Sequence, residues 1–141
     1  MFCNRTLSDR LFDATRQKTD RTVIDQRFAW GAVAASLLAA TVLHVHGHGG
    51  GWLALGFALM PDLGLLAGAG RGLEKGQLAP RAVPMYNALH RFAGPVLLAG
   101  LVLAGVLPSV WLAAALGWAL HISIDRAVGY GLRGSDGFQR S

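Results

Sequence analysis

Phe28–His46 reads FAWGAVAASLLAATVLHVH and Trp52–Gly70 reads WLALGFALMPDLGLLAGAG, and from Phe28 to Gly70 the one formal charge is Asp62. A helix needs about 20 apolar residues to cross roughly 30 Å of hydrocarbon, so each run predicts a membrane span. The second opens on Trp52, a ring suited to the interface, and is interrupted by Pro61 and Asp62. From Val83 to Ile124 the one formal charge is Arg91, and this stretch predicts two more spans. Pro108 and Ser109 form the turn between them, with Ser109 as the helix N-cap. The expectation is an all-α integral membrane four-helix bundle with spans at 28–46, 52–70, 85–107 and 109–125.

Composition agrees. Of 141 residues, 52% are apolar and 15% charged, against a usual charged share of about 25%, which disfavours a water-soluble core. Cys3 is the one cysteine, which excludes a disulfide framework and a cysteine-based zinc cluster. Glycines within the spans (Gly56, Gly64, Gly68, Gly94, Gly100, Gly105 and Gly117) are expected to let helix backbones approach closely.

Loop charges orient the bundle. Residues 1–27 carry Arg5, Arg10, Arg16, Lys18, Arg21 and Arg27; the second connection carries Arg71, Lys75 and Arg81; the C-terminal tail, 126–141, carries Arg133 and Arg140 beyond Arg126 at its start. The other two connections, HGHGGG at 46–51 and LPS at 107–109, contain no lysine or arginine. Basic residues near helix ends stay in the cytoplasm, so both termini are expected there, with the chain multi-pass in the bacterial inner membrane and the lipid bilayer as its partner. The net charge of +5 is then an orientation signal; no basic face or recognition motif points to nucleic acid. Asp9, Asp13, Asp20 and Asp25 interleave with the bases of the N-terminal segment, which reads as an interfacial helix and not as a separate domain or a cleaved signal peptide.

Ionisable groups inside a membrane are functional hypotheses by default, because each costs at least about 2.5 kcal/mol at a helix centre. Asp62 on the second span, Tyr86, Asn87 and His90 on the third, and His121 and Asp125 on the fourth fall at one depth in the cytoplasmic half. Tyr86/His90 and His121/Asp125 are i, i+4 pairs and Asn87/His90 an i, i+3 pair, so each shares a helical face. Pro61 and Pro95 are expected to free the carbonyls of Phe57 and Arg91.

Three readings of this cluster stay open. The plainest is a structural polar lock, since Arg91 and Arg126 adjoin the two carboxylates and bring the charge to zero. The second is a membrane-embedded metal-dependent hydrolase or transferase: Asp62, His90, His121 and Asp125 are suitable ligands for one divalent ion, with Tyr86 or Asn87 orienting water or substrate. The third is a proton-coupled small-solute transporter centred on Asp62. Arg91 separates the first two, since an outward-turned arginine leaves the carboxylates in need of a cation.

Elsewhere, His44, His46 and His48 could bind a transition ion, against the plainer reading of a polar cap on a short loop. Trp30, Trp52 and Trp111 read as interfacial anchors and Trp118 as packing.

The segments PDLGLLAG (61–68), YNALH (86–90) followed by Pro95, and HISIDRAVGYGLR (121–133) resemble small bacterial membrane proteins grouped as domain of unknown function 4260. The resemblance covers about residues 52–138. It implies four spans and recurring polar positions at Asp62, Tyr86, Asn87, His90, His121, Asp125, Arg126, Tyr130 and Gly131, and it implies no activity. After GYGL, members continue to a Thr-His-Leu-Gly-like segment. This chain reads GSDGFQRS there and offers no histidine to the site. A looser similarity in chemistry and architecture alone runs to membrane-bound metal-dependent hydrolases.

Overall fold

Four alanines and glycines on one helix decide the packing. That helix, α6 (Trp111–Val128), buries Ala113, Ala114, Ala115 and Gly117 together with Ile122 and Ser123. Side chains this small let α1 (Leu7–His48), α2 (Gly51–Leu59) and α5 (Ala93–Leu103) all pack directly against it. At Gly117 the backbone of Ala54 in α2 comes so close that an added Cβ would collide with the Ala54 carbonyl. At Gly94 the ring of Trp118 fills the space a side chain would need. Gly56 and Gly100, expected to serve in the same way, have nothing within 4 Å of where a Cβ would stand.

The structure is a computed structural model that describes residues 7–70 and 72–140; side chains are described from residue 15 onward. Cys3, Arg5 and Arg71, and the side chains of Asp9, Arg10 and Asp13, therefore lie outside the described residues. The chain is all-helical, and its one β-bridge among them is the isolated pair Arg133–Gln139. The helices are α1 (Leu7–His48), α2 (Gly51–Leu59), α3 (Leu63–Ala67), α4 (Val83–Leu89), α5 (Ala93–Leu103) and α6. Single 3-10 turns at Met60–Asp62 and Pro80–Ala82 precede α3 and α4.

α1 runs for 42 residues, about 63 Å at 1.5 Å per residue, so it continues unbroken from the N-terminal segment into the first apolar run. Its Thr15–His48 part is long and apolar enough to cross a membrane by length and composition, and Gly51–Ala67 is a shorter apolar stretch.

The stretch 85–107, expected as one rod, is two helices. α4 ends at Leu89 and α5 begins at Ala93. Pro95 is the third residue of α5, where its missing N–H has no intrahelical bond to lose, so it starts a helix and does not interrupt one. Pro61 likewise lies in the first part of its 3-10 turn. Nor does Ser109 cap α6: Val110 holds that position with no side-chain bond, and the Ser109 carbonyl accepts instead from His44 Nε2 at 3.1 Å.

At its other end α6 stops at Gly129, whose φ of 94° is open to glycine and turns the chain back. The tail then folds beneath the helices. Leu78 N–H donates to the Gly137 carbonyl at 3.0 Å, and Gln77 Nε2 to the Asp136 carbonyl at 2.9 Å. Above this layer Leu78, Ala82, Val83 and Tyr86 form a buried apolar cluster.

Candidate metal centre

The break between α4 and α5 positions His90. As the C-cap of α4 it leaves helical geometry, with ψ at 19°, and its ring swings back over its own helix. Its Nδ1 lies 2.8 Å from the Tyr86 carbonyl. A carbonyl only accepts, so Nδ1 carries the hydrogen, and Nε2 is the nitrogen turned to the other side. The Tyr86 ring stacks on it at 3.9 Å with 21° between planes.

Other helices supply what surrounds that nitrogen. From α6, His121 Nε2 lies 3.4 Å away and Asp125 Oδ2 3.3 Å away. From the 3-10 turn after α2, Asp62 Oδ1 lies 4.0 Å away. His121 Nε2 is itself 3.6 Å from Asp62 Oδ1 and 3.5 Å from Asp125 Oδ2. Three sequence regions thus converge as depth and spacing required. The His90 and His121 side chains are 3% and 12% exposed, whereas Asp62 is 52% exposed, so the cluster is buried on the imidazole side and open on the Asp62 side.

Asp62, His90 and His121 form the mutual set in which every ligand atom lies within 4.8 Å of the others. The three interatomic distances place the equidistant point about 2.1 Å from each atom, the length of a zinc–imidazole or zinc–carboxylate bond. Asp125, expected as a fourth ligand, stands beside this set, close to both imidazoles.

The arginines do not neutralise the cluster. Arg91 is exposed, and among the described residues no guanidinium or ammonium lies within ion-pair distance of Asp62 or Asp125. Arg126 Nη2 turns to the His90 carbonyl, at 3.4 Å, which the helix break leaves without an intrahelical donor. Trp118 Nε1 treats the Leu89 carbonyl in the same way at 2.7 Å. The expected cancellation of two carboxylates by Arg91 and Arg126 is therefore absent among the described residues.

The remaining expected residues frame the site. Asn87 Oδ1 accepts the Arg133 N–H at 2.8 Å and its Nδ2 donates to the Arg133 carbonyl at 2.9 Å, so its amide holds the tail. Tyr130, more than half exposed, borders a cavity of about 450 Å³ with Asp62, Tyr86, Asp125, Arg133 and Gln139. Gly131 presents its carbonyl to the Tyr86 hydroxyl at 3.5 Å. Sequence reasoning counted Arg133 only as a loop charge. Its signal was its place at the end of the GYGLR segment, directly after the residues that wrap the cavity.

His44, His46 and His48 do not form a comparable set. The rings of His44 and His48 stack at 4.6 Å, His44 is taken by Ser109, and among the described residues no ligand set of three includes them. Trp30 stacks on Phe92 at 5.6 Å, Trp111 meets Phe57 edge-on, and Trp52 is 87% exposed.

Residues 31–141 match the family described as a domain of unknown function, DUF4260, and the chain belongs to that family. No curated protein and no solved structure matches it.

Proposed function

We propose that this DUF4260 member is a multi-pass membrane protein, both termini cytoplasmic, whose cluster binds one divalent ion and serves hydrolysis at the cytoplasmic leaflet. The observation that carries the metal reading is the spacing of Asp62, His90 and His121 as one ligand set with Asp125 beside it. With Nδ1 hydrogen-bonded to Tyr86, His90 turns Nε2 to another imidazole nitrogen and two carboxylates, and among the described residues no arginine offsets them. A cation at its centre satisfies such an arrangement. Asp62, His90 and His121 supply three ligands and leave a position open, the pattern of catalytic sites and not of closed structural ones.

When bound, the ion would polarise the substrate and lower the pKa of a water. Asp125 takes the proton that the water loses as its oxygen bonds to the electrophilic atom; the bond to the leaving group breaks, and the leaving group departs with a proton from solvent. The half-exposed Asp62 and the adjoining cavity give substrate a way in. Membrane insertion is supported by the long apolar α1 and by apolar side chains that face outward on several helices, among them Leu43, Leu66, Leu97 and Leu103.

The four imidazole–carboxylate distances, 3.3–4.0 Å, favour a polar lock instead. If both imidazoles carry a second proton, two cations meet two carboxylates and the cluster is neutral by itself. Elemental analysis of detergent-purified protein separates the two. The expected result is about one divalent ion per chain, lost in His90→Ala and retained in Asp125→Asn, with chelation lowering the melting temperature of the wild type. A folded, metal-free wild type indifferent to added zinc or manganese and to chelator would overturn the metal reading in favour of the lock.

A further inference from the structure

Arg133 is a buried cation for which the mechanism above has no use. It is 9% exposed and lines the cavity that Asp62 and Asp125 also border. Its backbone is clamped on both sides by the Asn87 amide. Nη1 is held by the carbonyls of Gly76 and Gly137, each at 2.8 Å. The guanidinium carbon lies 5.0 Å from the centre of the Tyr86 ring, whose other neighbour in the stack is His90. Yet Nε is buried with no hydrogen-bond partner, and among the described residues no carboxylate pairs with the guanidinium. Burying a charge is unfavourable unless something pairs with it. Here the contacts fix the position of the guanidinium and none is an ion pair, and a guanidinium is a group that holds an oxyanion through charge-assisted bonds.

We propose that this cavity binds the phosphoryl group of the substrate, with the guanidinium of Arg133 as its anchor. A phosphoryl group suits the place better than a carboxylate because it has a further oxygen. An oxygen held by the guanidinium then leaves others free to turn to the cluster, whose Asp62 and Asp125 border the same cavity. The second contact rests on the metal reading above; the first does not. Arg133 is a binding residue in this scheme and takes no part in bond making.

The test is calorimetric titration of the detergent-purified full chain with inorganic phosphate, with and without chelator. Phosphate is expected to bind the wild type, with affinity at least tenfold weaker in Arg133→Gln and intermediate in Arg133→Lys, which keeps the charge and loses the guanidinium, while metal content stays unchanged. Gln139→Glu is the companion variant in case Arg133→Gln fails to fold. It places a carboxylate in the cavity beside an intact Arg133 and is expected to weaken phosphate binding as strongly. Competition by glycerol phosphate would identify a soluble ester, and competition only by phosphatidic acid in the micelle a lipid headgroup; both support the assignment. Phosphate binding that persists in chelator and depends on Arg133 would sustain it even if the metal reading fails. Absence of binding to the metal-replete wild type, or equal binding by the wild type and a folded Arg133→Gln, overturns it.

Discussion

Asn87 illustrates how a residue can serve a site without touching its chemistry. Its amide bonds to both backbone polar groups of Arg133, which lies 46 residues further along the chain, and so seats the folded tail under α4. Asn87→Ala removes both bonds and leaves partly buried backbone groups unpaired. The expected loss is about 1–3 kcal/mol, read as a lower melting temperature and faster proteolysis of the tail. Metal content should hold, because Asn87 contacts neither imidazole; loss of the metal in a folded variant would contradict this role. The histidine and aspartate positions were legible in the sequence because i, i+4 spacing is a local property of a helix. The Asn87–Arg133 clamp was not, since nothing in local spacing marks a contact that depends on how the tail returns.

At the scale of elements, apolar content alone could not reveal the break between α4 and α5. Hydropathy counts side chains, whereas a break is tolerated only if the carbonyls it frees find donors, here from Trp118 and Arg126 on α6. Glycines raise the same difficulty, because sequence shows which positions are small but not which are crowded. Gly117→Val should force α2 away from α6, since its side chain would meet the Ala54 backbone; overpacking of this kind costs about 1–3 kcal/mol. Gly56→Ala and Gly100→Ala face open space and should shift stability by less than about 1 kcal/mol. Thermal unfolding in one detergent ranks all three. Equal destabilisation at Gly56 and Gly117 would mean that α2 does not approach α6 through Gly117.

For the whole molecule, the two ends differ in kind, and the proposed topology assigns each to one side of the membrane. At one end His44 reaches the α5–α6 turn through Ser109; at the other, residues 76–78 and 133–137 lace together around Arg133. Basic residues of the described chain gather at the second end, with Lys75, Arg81, Arg126, Arg133 and Arg140 all near it in sequence or contact, which is the asymmetry expected of a cytoplasmic face. Single cysteines in a Cys3→Ser background test this directly. Gly47 is exposed with nothing near its missing side chain, and Ser135 is exposed in the tail, so both should accept cysteine without disturbing the fold. A membrane-impermeant maleimide applied to intact spheroplasts is expected to label Gly47→Cys and spare Ser135→Cys until the membrane is opened. Labelling of both from outside would place the Arg133 cavity on the wrong side for a cytoplasmic substrate, and labelling of Ser135→Cys alone would invert the bundle.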